Sequence, residues 1–265
     1  MSTRFAERGL VDALAARWLP RQARAVYAPS GAAQCVFAVA KSRGIETILV
    51  HDLPCMRQLH DDLDVASRFH PTATFLRRFR ASRADLVRQE AEEVLADRVL
   101  VRGVYAEGLL RSRGVCAERL VEPAGADRAP AAHRSGSAGR RTLLLGGLAV
   151  ARAGTHELLA AIEGRPEVTL LVRAGEGTEP KNLLSHPRVR VATRDEHEQL
   201  AGVDVVVAPA WCETYPVEVG LAHARGIPVV ATVRAAGFIP PTHVVEPGDA
   251  QGLGIAIDAA CRALS

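Results

Sequence analysis

The chain has 265 residues, of which 48% are hydrophobic, 24% charged and 4% aromatic, and its formal net charge is +3. At about 100–200 residues per domain this is one large domain or two small ones. The apolar content supplies a core and excludes wholesale disorder. So few aromatic rings and so mild a charge exclude nucleic acid bound by base stacking.

The opening residues, Met1-Ser-Thr-Arg-Phe-Ala-Glu-Arg, carry charges and no apolar segment, so no signal peptide is expected. Ala25–Ala28 (AVYA) reads as a buried strand. Gly31–Arg43 follows as a helix stopped by Gly44, a residue suited to the left-handed position after a helix. Thr47–His51 (TILVH) is the next strand, the charged stretch Ser82–Ala96 a helix, and Arg98–Val101 and Arg119–Glu122 two more strands. Pro123–Arg141 then changes character: it is rich in Pro, Gly, Ala, Ser and Arg without periodicity. It reads as an interdomain linker, with a long surface loop as the alternative.

After it come a strand at Thr142–Gly146 (TLLLG), a helix at Thr155–Glu163, and strands at Val168–Arg173, Val189–Ala192 and Val203–Pro209. A helix at Val217–Arg225, a strand at Pro228–Thr232 and a helix at Gln251–Leu264 close the chain. Continuous apolar strands alternating with helices imply parallel sheets covered on both faces, in two tandem units. No apolar run approaches the roughly 18 residues of a membrane span. The five cysteines are odd in number and show no C-x-x-C spacing. Reduced thiols in a cytoplasmic protein are therefore expected, rather than disulfides or zinc.

In open α/β sheets, ligands bind beyond the carboxyl ends of the strands, which directs attention to three loops. Gly146-Gly147 lets an anion approach main-chain N–H groups, or is simply a tight turn. Arg173-Ala-Gly-Glu-Gly carries only a G-x-G. The third loop runs from the strand VDVVVAP through Ala210-Trp-Cys-Glu-Thr-Tyr into a helix starting near Pro216. That helix start suits an anion. Glu213, just ahead of it, can accept hydrogen bonds from sugar hydroxyls or serve only as a partner of the helix dipole.

The segment VDVVVAPAWCETYPVEVGLAHARGIPVVAT resembles the core of the C-terminal domain of retaining GT-B glycosyltransferases of family 4. TLLLGGL with GTHELLAA, RAGEG, VVEPGDAQGLGIAI and, in the first half, TILVHDL and EEVLADRVLVRGVYAEGLL are similar to further parts of that family. The resemblance implies an α/β, GT-B-like fold of two Rossmann-like domains with parallel sheets and an interdomain cleft. The division is 1–125 for a reduced acceptor-side domain, 126–140 for the linker and 141–265 for the nucleotide-sugar-binding domain. It implies a glycosyltransferase that moves a sugar from a nucleotide-sugar donor with retention. The acceptor is a saccharide, a lipid-linked or a small molecule, and neither cofactor nor metal is required.

Carried over residue by residue, the resemblance makes Glu213 the group that holds the donor sugar. His51 touches sugar or acceptor from the other domain. Gly146, Gly147, Arg152, Thr214, Tyr215, Pro216 and Glu218 contribute to the donor site. The family's second Glu, eight positions after the first, is Leu221 here, and Glu218 lies about 60° away around the helix. One of two basic phosphate ligands falls on Gly147. Fewer strands precede Ala25 than the family carries, so the likeness is to a reduced or truncated copy with a degenerate motif. A catalytically degenerate GT-B-like binding or partner subunit is the alternative. Phe75–Arg88, five arginines on an apolar frame, reads as a basic amphipathic helix able to touch an anionic membrane weakly, or as a solvated helix.

Overall fold

In the computed structural model, strand and helix alternate along two parallel sheets. The structure describes residues 2–51, 55–73, 76, 80–121, 139–175, 177–213, 216–238 and 240–264, with residues 2–7 and 121 by their backbone alone. Two compact units divide the chain. One comprises 1–61, 78–102 and 106–124; the other comprises 62–77, 103–105 and 125–265. The linker expected over 126–140 lies outside the described residues except for Gly139 and Arg140. Among the described residues, no helix is long and apolar enough to cross a membrane.

The first unit holds a four-stranded sheet in the order β1-β2-β3-β4, with all neighbours parallel. The strands are β1 (Ala25–Pro29), β2 (Glu46–His51), β3 (Arg98–Val101) and β4 (Leu120–Val121). The helices of the first half are α1 (Ser2–Trp18), α2 (Gln34–Ser42), α3 (Met56–Phe69), α4 (Arg83–Leu95) and α5 (Val104–Ser112). Gly44 (φ +67°) ends α2, its N–H donating to the Lys41 carbonyl, as the sequence suggests. The amino end of α2 has no cap of its own. Asp12 of α1 accepts from the N–H groups of Cys35 and Val36 at 2.8 and 2.9 Å. Glu92 of α4 accepts from those of Gly31 and Ala33 at 2.6 and 2.9 Å. Burial pushes the Glu92 carboxyl above the usual range, against the pull of these main-chain donors.

A single helix over Phe75–Arg88 is not what forms. Residues 80–82 are not helical, and Ser82, extended (φ −71°, ψ 163°), starts α4 through a reciprocal capping box with Asp85. The Ser82 hydroxyl satisfies a first-turn N–H, which sets the helix start there. Positions 74, 75 and 77–79 lie outside the described residues.

The second unit is built on a six-stranded parallel sheet in the order β10-β9-β8-β5-β6-β7. Its strands are β5 (Arg141–Leu148), β6 (Val168–Arg173), β7 (Val189–Val191), β8 (Val205–Ala208), β9 (Val229–Thr232) and β10 (His243–Val245). The helices are α6 (Thr155–Ile162), the short α7 (Arg194–Glu198), α8 (Val217–Arg225) and α9 (Ala250–Arg262). Successive strand residues face opposite sides. Leu143, Leu145, Val205 and Val207 accordingly pack with Leu158, Ile162, Leu253 and Ile257 of α6 and α9. Leu144, Val206, Ala208 and Val229 pack with Val219 and Ala222 of α8. Both faces are covered, which is why these strands are apolar throughout. Fully burying each of the Leu, Val and Ile side chains among them contributes about 1.5–3 kcal/mol.

Candidate functional site

The strand order reverses between β5 and β8, so the chain leaves these two neighbours in opposite directions and opens a crevice at their carboxyl ends. Gly146 ends the buried part of β5. A Cβ there would stand 3.3 Å from the Cβ atoms of Ala208 and Pro216. Past Gly147 (φ +90°), a 3-10 turn at Ala151–Ala153 leads to Gly154 (φ +80°). A Cβ on Gly154 would lie 2.2 Å from the Pro209 carbonyl oxygen, so only glycine lets the two loops close on each other.

Arg152 is carried by this turn. Its Nη1 donates to Glu213 Oε2 at 2.5 Å and to the Cys212 carbonyl at 3.1 Å. The two side chains are 15% and 16% exposed. Burial opposes the Arg152 charge, but the adjacent Glu213 carboxylate outweighs it and raises the guanidinium above its usual value. Burial also pushes the Cys212 thiol up to about 12, which keeps it protonated and unreactive.

Pro216 sits at the N-cap of α8 (φ −58°, ψ 134°) rather than in its first turn. Glu218 lies in that first turn and is 1% exposed. Its Oε2 accepts from the Gly147 N–H at 3.0 Å. Its Oε1 lies 2.5 Å from His197 Nε2 and 3.9 Å from Arg173 Nη1. The donor expected to meet an anion is thus taken by the chain's own carboxylate. Leu221, half-buried, packs against the core on the α8 face of the sheet.

Of the residues singled out by sequence, Gly146, Gly147, Arg152, Glu213, Pro216 and Glu218 come together at this one sheet edge. Thr214 and Tyr215 lie outside the described residues. His51, at the end of β2 in the first unit, is 1% exposed, with Nε2 3.3 Å from Glu93 Oε1. Glu93 is also bridged by Arg113 at 3.0 Å. His197, Trp211, Glu157, Arg234, Asp62 and Tyr105, all close to this edge or its loops, are not legible as site residues from sequence. Their partners lie far along the chain: Trp211 and Glu157 are 54 positions apart. Among the described residues, no cluster of three or more His, Cys, Asp or Glu could hold a metal ion.

The parallel sheets and the switch-point crevice are those of a GT-B glycosyltransferase fold. Solved structures of that class superpose on nearly the whole chain. Sucrose-phosphate synthase from Thermosynechococcus elongatus matches with a TM-score of 0.63 and 18% identity, over 97% of this chain and 69% of that one. The lipopolysaccharide outer core galactosyltransferase WaaB matches at 0.59 and 13%, over 99% and 73%. HepE from Anabaena, in complex with UDP and glucose, matches at 0.59 and 18%, over 97% and 74%. No protein-family model and no curated protein matches the chain. At these identities the likeness defines the fold.

Proposed function

We propose that the chain binds a nucleotide-sugar and transfers its sugar to an acceptor, with retention of anomeric configuration. The observation that carries this reading is the Arg152–Glu213 pair at the switch point of a GT-B fold. A guanidinium is the residue of choice for a diphosphate, and a carboxylate beside it can accept from sugar hydroxyls. As the glycosidic bond breaks, negative charge builds on the leaving diphosphate and positive charge on the sugar. Arg152 stabilises the first and Glu213 the second, each already held in place before reaction. Arg152 exchanges its contact with Glu213 for the phosphate, and Glu213 turns to the sugar. UDP-sugars head the panel of donors, since HepE is recorded with UDP and glucose.

A second reading, a GT-B binding or partner subunit without catalysis, is favoured by two side chains. Leu221 cannot accept from a ribose hydroxyl, and Glu218 already occupies the Gly147 N–H. Calorimetric titration with nucleotide-sugars, followed by assays of sugar transfer and of diphosphate release, separates the two. Binding with turnover that collapses in Glu213→Ala supports the enzyme. Binding without turnover toward any acceptor class supports the partner subunit.

A further inference from the structure

Trp211, the second residue before Glu213, is 2% exposed, and each of its polar groups has a partner. The main-chain N–H donates to the Arg152 carbonyl at 2.9 Å. The main-chain carbonyl accepts from Arg234 Nη1 at 2.5 Å. The indole Nε1–H donates to Glu157 Oε1 at 2.8 Å. Two of these partners are themselves gripped within the second unit. His70 Nε2 lies 2.5 Å from the same Glu157 oxygen. Asp62 Oδ1 lies 3.0 Å from Arg234 Nη1, and Asp62 Oδ2 accepts from the Tyr105 hydroxyl at 2.7 Å.

The indole plane is fixed as well. The Phe69 ring packs at 5.0 Å between centroids, tilted by 48°. Gly248 comes so near both rings that a Cβ there would stand 2.7 Å from the indole and 3.5 Å from the Phe69 ring. Glu157 is 4% exposed, and its second oxygen has no hydrogen-bond partner among the described residues. A carboxylate buried this way is costly unless it is paired, and its other oxygen is paired with both the indole N–H and His70. What the carboxylate adds is direction, since it fixes the indole and with it the backbone leading to Glu213.

We propose that Trp211 is the positioning residue for Glu213, held by two clamps, Glu157 with His70 on its indole and Arg234 with Asp62 on its carbonyl. Its effect on turnover rests on the reading of Glu213 as a donor-site group, whereas the anchoring can be read without any activity.

The test uses the full chain. Trp18→Phe leaves Trp211 as the one tryptophan, because the sequence has two. In that background Glu157→Ala is expected to shift the Trp211 emission to the red. Amide exchange of residues 210–213 should quicken about tenfold or more, as for a locally opened segment, while strand residues 203–208 stay protected. Glu157→Gln keeps an acceptor for the indole N–H and should restore most of the protection. Should Glu157→Ala fail to fold, Trp211→Phe, which keeps a ring and loses the N–H, gives the same loop readout. Unchanged exchange at 210–213, or equal acceleration across the whole sheet, overturns the proposal. With a donor and acceptor that support transfer, Glu157→Ala should lower kcat about tenfold with little change in KM. That loss should vanish in a Glu213→Ala background; an equal loss there overturns the positioning role. A wild type without transfer sinks the enzyme reading, and the exchange data still decide the anchoring.

Discussion

Arg152 and Glu213 face each other at 2.5 Å in a partly buried setting, so neither can be altered without leaving the other exposed to its loss. Arg152→Ala is expected to weaken nucleoside diphosphate binding by about 1.5–3 kcal/mol, the scale of hydrogen bonds to charged groups. Isothermal titration checks this, and an unchanged dissociation constant would move the phosphate elsewhere. Glu213→Ala should leave free nucleotide binding nearly intact and cut transfer by about 10²-fold, since misplaced reacting groups cost that much. As a mere partner of the helix dipole, Glu213 would contribute only about 0.3–1 kcal/mol of stability and nothing to turnover. At the same scale, the buried Cys212 thiol, held protonated by burial, should resist alkylation under native conditions. Exposed Cys116 should label first, ahead of Cys35, whose thiol is exposed but pushed up by partial burial and by Asp12; peptide mapping after a short iodoacetamide pulse reads the order.

At the scale of elements, the loops after β5 and β8 meet through Gly154, whose positive φ and contact with Pro209 leave no room for a side chain. Gly154→Ala is expected to destabilise by well over the roughly 1 kcal/mol of an ordinary glycine change. It should also loosen the Arg152–Glu213 pair; urea unfolding and nucleotide binding measure the two effects. The extent of several elements was legible in the sequence. The apolar run Val168–Arg173 and the amphipathic Val217–Arg225 match β6 and α8 end to end, because a strand buried on both faces and a helix on one carry their period openly. The short α7 was not legible in this way: five residues show no period, and what starts it is the capping box of Thr193 with Glu196. Helix α1 was not, because what ties it to α2 is Asp12 on the N–H groups of Cys35 and Val36, more than twenty positions away.

For the molecule as a whole, pH reports how its ion pairs are distributed. The Glu196 carboxyl is held down at about 2, mainly by Arg190 and also by the Thr193 N–H. Arg165 lowers Asp258, and Lys41 lowers Asp97. An unfolded carboxyl titrates near about 4. Each depressed group therefore contributes stability that is complete above that value and fades as pH falls through the folded one. Glu92, raised by burial, acts in the opposite sense: its contribution is present below the unfolded value and fades as pH rises through the folded one. Urea midpoints should fall between pH 5 and pH 2. Glu196→Gln should flatten that decline, while Glu92→Gln, which removes the opposing contribution, should steepen it.

Sequence by itself determined the alternation of buried strands and helices, hence parallel sheets in two units. It also placed Gly146, Arg152, Glu213 and Pro216 together beyond the carboxyl ends of β5 and β8. These follow from local period and from loop chemistry a few residues long. Tertiary structure alone decided what those residues touch. It seated Glu218 on the Gly147 N–H, packed Leu221 against the core, paired His51 with Glu93, and joined Trp211 to Glu157 and Arg234. The physical reason is that a side chain's partner is set by which strand ends the sheet order brings side by side. That order, with β5 beside β8, is a property of the whole sheet and of no single segment.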